Sequence, residues 1–292
     1  MFPITDYKKA ATIDEALDLL ADDPQLRPLA GGTDILIKLH KGKPGYDRLV
    51  DIHAAGELAG IHESDGGDIK IGPGNVFNRV IADPLVQTHL PVLATALATI
   101  GGPQVRNMGT LGGNLVNGVP SADSAPCLLA LNAILTLRSK SAERRLPLAD
   151  FFKAPGKVDL APGELLTAIT IPAAAYRGRH GHYIKYAMRD AMDIATIGCA
   201  AVVKIENDTL SELRLAFGVA APVPIRCPAA EAAGRGRLLD DALLDKITAA
   251  LGQDVRPRDS WRAAKDFRLH IISELARRAI RRAVEQAGGR LP

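Results

Sequence analysis

The sequence predicts an α+β chain of three packed lobes: a small α/β unit over residues 1–55, a glycine-rich lobe over 56–178, and a lobe over 179–292 in which strands precede helices. Three observations lead there. A length of 292 residues exceeds the commonest size for one hydrophobic core. An apolar share of 47% against 24% charged residues gives enough hydrophobic material for packed cores. The apolar pattern also changes along the chain, from mixed helix and strand, through a stretch dominated by glycine, to alternating strands followed by two amphipathic helices.

In the first lobe, Thr12 and Glu15 form a capping box, after which Ala16, Leu17, Leu19 and Leu20 recur at helical spacing until Pro24. Pro28, Leu29 and Ala30 read as a short strand entering Gly31-Gly32-Thr33. Ile35, Leu36, Ile37 and Leu39 suit either a helix or a buried strand, and residues 49–52 a further strand. The second lobe opens on the alternating Ile69-Lys70-Ile71 and continues with helical segments over 76–82 and 85–98. Residues 101–118 then hold six glycines, each costing a helix about 1 kcal/mol, so a loop is expected there. Strands are expected over 134–137 and 165–171, the second ended by Pro172, and the polar stretch 177–182 is the best linker. Beyond it, strands over 183–186, 197–205 and 213–219 precede helices over 240–251 and 266–286, which should pack on one face of an antiparallel sheet.

Charge and cysteine content narrow the functional classes. Thirty-six basic against 33 acidic residues is too slight an excess for a nucleic-acid footprint. The basic run Arg277, Arg278, Arg281 and Arg282 is expected on the solvated or subunit-facing side of the last helix. Cys127, Cys199 and Cys227 are far apart, with neither a C-x-x-C pair nor zinc-type histidine spacing, so no iron–sulfur cluster or metal site is expected in this chain. Pro3, Asp6 and lysines interrupt the N-terminal stretch, which therefore lacks the apolar core of a signal peptide, and a cytoplasmic location is expected. The seven histidines, His40, His53 and His62 among them, are scattered and read as structural or surface residues.

Two glycine-rich segments carry the chemistry: Ala30-Gly31-Gly32-Thr33 and Thr110-Leu111-Gly112-Gly113-Asn114. Without Cβ atoms, backbone N–H groups can close on a ligand and form a nest that faces an anion. Thr33 and Asn114 add neutral hydrogen-bonding groups, so a pyrophosphate could be held without lysine or Mg²⁺. Neither segment has the G-x-G-x-x-G fingerprint or the P-loop pattern, and each alone is equally a tight turn. With aromatic residues at 4% and Trp261 the sole tryptophan, a planar ligand would rest on backbone and aliphatic contacts.

The order of A-G-G-T-D-I-L-I from Ala30, T-I-G-G-P-Q-V-R-N from Thr99 and T-L-G-G-N from Thr110 resembles the flavoprotein subunits of molybdenum hydroxylases, across essentially the whole chain. The resemblance implies an FAD-binding fold of the p-cresol methylhydroxylase type in two α/β lobes, followed by a CO dehydrogenase flavoprotein-like C-terminal α+β domain. It also implies a position for each cofactor contact. Pro28, Leu29, Ala30, Gly31, Gly32, Thr33, Asp34 and Ile35 would meet the flavin pyrophosphate. Thr110, Leu111, Gly112, Gly113 and Asn114 would form the second FAD loop, and Thr99, Ile100 and Gly101 would also bind the cofactor. Ser121 and Asp123 would lie at the ribityl chain, Leu166 on the cofactor, Lys185 near it, and Asp193 and Ile194 close to the isoalloxazine ring. Simpler roles stay open: Asp123 suits a cap for a helix over 126–131, Lys185 a snorkelling strand lysine, and Leu166 and Ile194 ordinary core positions.

Residues 185–199 and 211–220, with the Gly156-Lys157-Val158 turn, are similar to the flavin subunits of bacterial three-subunit xanthine dehydrogenases. That resemblance implies an electron outlet: FAD in this chain, NAD⁺ as acceptor, and molybdopterin and [2Fe–2S] clusters in partner subunits that oxidise hypoxanthine and xanthine. Gly109, where relatives often carry alanine, is a departure. Rival expectations are the flavin subunit of an aldehyde or CO dehydrogenase, and a scaffold or regulatory subunit that has lost the cofactor.

Overall fold

The first fifty residues build a three-stranded parallel sheet in the order Asp6–Lys9, Arg48–Asp51, Arg27–Leu29. The computed structural model describes residues 4–291, so Pro3 lies outside the described residues. Helix Ile13–Asp22 covers this sheet through Ala16, Leu17 and Leu20. Its N-terminus is tied as the sequence requires, with the Glu15 N–H donating to Thr12 Oγ1 at 3.1 Å. The returning bond is displaced by one residue: Glu15 accepts from the Ala11 N–H at 2.7 Å rather than from Thr12. The ambiguous run after Thr33 is a helix, Ile35–His40.

The second sheet is antiparallel, ordered Ile61–Glu63, Ile69–Ile71, Leu165–Ile171, Ile134–Arg138, Glu143–Pro147. Its central strand Leu165–Ile171 is buried at every position, which explains why it reads as a continuous apolar run. Helices Phe77–Ala82, Pro84–His89, Pro91–Ala98 and Ser124–Ala130 contribute to the largest core, around Leu93, Leu97, Leu128 and Phe151. The first expected helical segment stands as Phe77–Ala82, while Pro91 divides the second into Pro84–His89 and Pro91–Ala98.

The expectation of an unbroken loop over 101–118 is overturned. Pro103–Arg106 and Leu111–Val116 are helical turns, the second enclosing Gly112 and Gly113. Propensity loses to packing: a Cβ on Gly112 would stand 2.5 Å from Pro73 Cβ, so only glycine lets this turn seat against the Gly72-Pro73 backbone. The expected linker at 177–182 is also shorter, since strand His180–Tyr186 already starts within it. Gly181 is needed there, because a Cβ would approach Val202 Cγ2 to 2.9 Å.

The third sheet runs antiparallel through His180–Tyr186, Ile197–Glu206, Thr209–Gly218 and Ile225–Arg226. Helix Lys265–Gln286 packs on the face formed by Cys199, Ala201, Val203 and Leu215, helix Pro228–Gly234 packs on strand Thr209–Gly218, and helix Asp241–Asp254 joins the same core against those two helices. Contrary to a one-sided arrangement, the other face is covered too: Tyr183, Ala200, Val202 and Ala216 belong to the second-lobe core, against helices Pro91–Ala98 and Ser124–Ala130. Alternation thus serves two cores at once. Arg214 and Arg226 cross this seam to carbonyl oxygens of Ala130, Ala175 and Leu129.

The basic run of the last helix is partnered. Arg277 pairs with Asp245 of the preceding helix, Arg278 with Glu274, Arg282 with Glu285, and Arg281 donates to the Leu291 carbonyl. Among the described residues, no helix is long and apolar enough to cross a membrane.

Candidate flavin site

The first glycine segment leaves strand Arg27–Leu29 and enters helix Ile35–His40 through a turn in which Gly32 takes φ +73°. Among the described residues, the N–H groups of Gly31, Gly32, Thr33, Asp34 and Ile35 donate to no protein acceptor. Five successive half-buried or exposed amides without partners form a row of donors suited to an anion. The turn is fixed from behind: a Cβ on Gly31 would lie 1.7 Å from the Met108 carbonyl oxygen. One on Gly109 would meet Thr33 Oγ1 at 3.3 Å. The two glycine-rich regions, about seventy residues apart in the chain, are therefore in direct contact.

The second region divides its labour differently from what its sequence implies. In T-L-G-G-N the amides already serve the fold: Leu111 N–H donates to Asn75 O, Gly112 to Pro73 O, Gly113 to Thr110 Oγ1 and Asn114 to Thr110 O. What this turn offers a ligand is the exposed Gly113 backbone and the Asn114 side chain, whose Oδ1 accepts from Ser124 Oγ at 2.6 Å. Among the described residues, amides without a protein acceptor lie earlier, at Gly101, with φ +50°, and at buried Gly102. Arg106 holds this bend by donating to the carbonyls of Ile100 and Gly101 at 2.9 and 3.1 Å. Its carbonyls are thereby bound and its N–H edge is left available.

Asp123 is not a helix cap in the usual sense. It precedes helix Ser124–Ala130 but makes no capping bond; its carboxylate turns inward. There Oδ2 pairs with Lys185 Nζ at 2.9 Å and Oδ1 accepts from Tyr183 Oη at 2.6 Å. Lys185 is no snorkelling side chain, being 10% exposed and also bonded to the Thr99 carbonyl at 3.0 Å. Burial pushes the Asp123 carboxyl above its ordinary range, opposed by the Lys185 charge and by the Tyr183 and Lys185 hydrogen bonds.

Asp193 orders the turn before the second strand of the third sheet: its oxygens accept from the N–H groups of Met188, Arg189 and Ile194. These bonds lower its pKa although burial opposes them. Ile194 is 50% exposed, so it is not a core residue, and Met192 stands beside the place a Gly102 side chain would occupy, 3.4 Å from its Cβ. Leu166 is buried in the second sheet opposite Leu137, next to a β-bulge. Helix Leu111–Val116 packs on its strand and links it to this assembly. Ser121 apart, the remaining expected residues lie along one series of contacts, from the first glycine turn through Met108 and Gly109, Asn114 and Ser124, Asp123 and Lys185, to Thr99–Gly102 and Met192. Sequence reasoning missed Tyr183 and Arg106. Tyr183 was accessible, because it shares a strand face with Lys185 two residues on.

Among the described residues, two sets of amides without protein acceptors, at residues 31–35 and 101–102, suit an anionic group such as a diphosphate. A family model described as the FAD binding domain in molybdopterin dehydrogenase matches residues 3–174. One described as the CO dehydrogenase flavoprotein C-terminal domain matches residues 182–283. The chain belongs to this family of FAD-binding subunits, with the two domains in that order. The putative xanthine dehydrogenase FAD-binding subunit of Escherichia coli K12 is 47% identical over 291 residues, covering 100% of both chains. The carbon monoxide dehydrogenase medium chain of Hydrogenophaga pseudoflava is 32% identical, covering 96% of this chain and 97% of that one. A solved structure of carbon monoxide dehydrogenase from the same organism superposes with a TM-score of 0.93 at 30% identity, over 98% of this chain and 99% of that one. Quinoline 2-oxidoreductase from Pseudomonas putida 86 gives 0.92 at 28% identity, over 98% and 99%.

Proposed function

We propose that this chain is the flavin subunit of a cytoplasmic xanthine dehydrogenase, assembled with a molybdenum-binding subunit and an iron–sulfur subunit, in the oxidation of hypoxanthine and xanthine to urate. Bound FAD supplies chemistry that links one-electron delivery from [2Fe–2S] clusters to hydride transfer onto NAD⁺. The work of this chain is to bind, orient and enclose. Residues 1–55 and 56–178 would hold the cofactor between them, and residues 179–292 would close it with Lys185, Asp193 and Ile194.

The observation that carries the reading is the row of partnerless amides at Gly31, Gly32, Thr33, Asp34 and Ile35, seated on the Met108-Gly109 backbone. Full-length identity of 47% to the E. coli protein named as a xanthine dehydrogenase FAD-binding subunit supports the substrate. The ordered turn around Asp193, with Ile194 and Met192 exposed, suits an edge at which a nicotinamide ring would be received.

The test is co-expression of the chain with its neighbouring subunits, followed by mass identification of the complex and its cofactors. Xanthine-dependent reduction of NAD⁺, followed at 340 nm, is the expected result. Turnover of an aldehyde or of carbon monoxide with no activity on xanthine would replace the substrate. A colourless complex that takes up no FAD would overturn the reading as a whole.

A further inference from the structure

Tyr183 is buried at 3% exposure on the face of the third sheet that meets the second lobe, yet its hydroxyl is placed for a polar task. It donates to Asp123 Oδ1 at 2.6 Å across the seam. Room for it is made on the neighbouring strand, where a Cβ on Gly198 would come within 2.7 Å of the Tyr183 hydroxyl. Gly198 pairs with Lys185 in the strand register, so the glycine, the tyrosine and the lysine occupy one small patch. Asp123 has two carboxylate oxygens and gives one to each neighbour. Lys185 has three N–H donors and uses two, on Asp123 and on the Thr99 carbonyl. The third has no acceptor among the described residues. It sits where helix Pro91–Ala98 passes into the Gly101–Gly102 bend with its partnerless amides.

A buried carboxylate needs a partner for each oxygen, and the bond to the second one fixes how the ion pair sits. A phenol hydroxyl at 2.6 Å is the fixing bond. We infer that Tyr183 is a positioning residue for the flavin site: by anchoring Asp123 it holds the Asp123–Lys185 pair in one orientation, so that the remaining Lys185 N–H is presented to the bound nucleotide. This rests on the flavin-site reading. It assigns Tyr183 no contact with the cofactor itself.

The experiment compares wild type, Tyr183→Phe, Asp123→Asn and the double variant, each as the full chain reconstituted with FAD. Readouts are the FAD dissociation constant from fluorescence quenching, the flavin absorption spectrum and midpoint potential, and the unfolding temperature. Tyr183→Phe keeps the ring and should stay folded. Its dissociation constant should rise about tenfold, as for loss of one hydrogen bond to a charged group, with an altered spectrum and potential. In the Asp123→Asn background the same substitution should add little, because both changes act through one network. A Tyr183→Phe chain that is less stable but has unchanged affinity, spectrum and potential would make the tyrosine merely structural and overturn the proposal. Additive effects in the double variant would overturn it as well. Failure of the wild-type chain to take up FAD would instead sink the site reading, so the two failures are separable.

Discussion

Gly31 offers the sharpest handle on the site, because one methyl group there separates cofactor binding from folding. In Gly31→Ala the new Cβ would lie 1.7 Å from the Met108 carbonyl oxygen, where ordinary contact begins at 3.4 Å, so the turn must shift by the difference, about 1.7 Å. Amide donors set for bonds near 2.9 Å cannot keep their hydrogen-bonding geometry through a displacement of that size. If two amide bonds to a charged diphosphate are lost at about 1.5–3 kcal/mol each, FAD affinity falls about 10²–10⁴-fold. The overpacking itself costs about 1–3 kcal/mol, which lowers the unfolding temperature by several degrees without unfolding the chain. Gly56→Ala is the control, since a Cβ there meets nothing within 4 Å. Fluorescence titration with FAD alongside thermal unfolding measures both quantities. Wild-type affinity in a folded Gly31→Ala chain would refute the idea that this turn carries the diphosphate.

Two further predictions concern stability. Gly252 lies inside helix Asp241–Asp254 with open space around it, so Gly252→Ala should stabilise the chain by about 0.5–1 kcal/mol in denaturant titrations. Arg144 is bonded to Glu164 at 2.7 and 2.8 Å and to Asp159 at 3.0 Å, and its hydrogen bond holds the Glu164 carboxyl below the usual range. Such a lowered carboxyl stabilises the fold above its unfolded pKa of about 4.3 and loses that contribution as pH falls through its folded value. Arg144→Gln should therefore destabilise fully at pH 7, with the difference from wild type shrinking below about pH 4; a pH-independent difference would contradict the linkage.

Where alternation and helical spacing were sustained, the fold was legible: the strands at Ile134–Arg138 and Leu165–Ile171 and the final helix lie where their apolar periods place them. Short partners escaped. Asp6–Lys9, Ile61–Glu63 and Glu143–Pro147 have too few apolar positions to declare a period, and exist because longer neighbours offer them a ladder. The helical turn at Leu111–Val116 was hidden for the opposite reason, as its glycines answer a close approach of Pro73 invisible in the local sequence. In the site, glycine spacing pointed to two segments that lie against each other but not to which amides stay open. That division depends on the carbonyl oxygens of Asn75 and Pro73, about forty residues earlier in the chain, which accept from the Leu111 and Gly112 N–H groups.

The sheet that separates the two larger cores has no weather side. Each residue step along Ile197–Glu206 answers to a different neighbour, so a substitution tolerated by one core is judged next by the other. A chimaera joined at residues 175–181 would bring together two surfaces that never matured against each other, with Arg214 and Arg226 reaching for carbonyls on an unfamiliar wall.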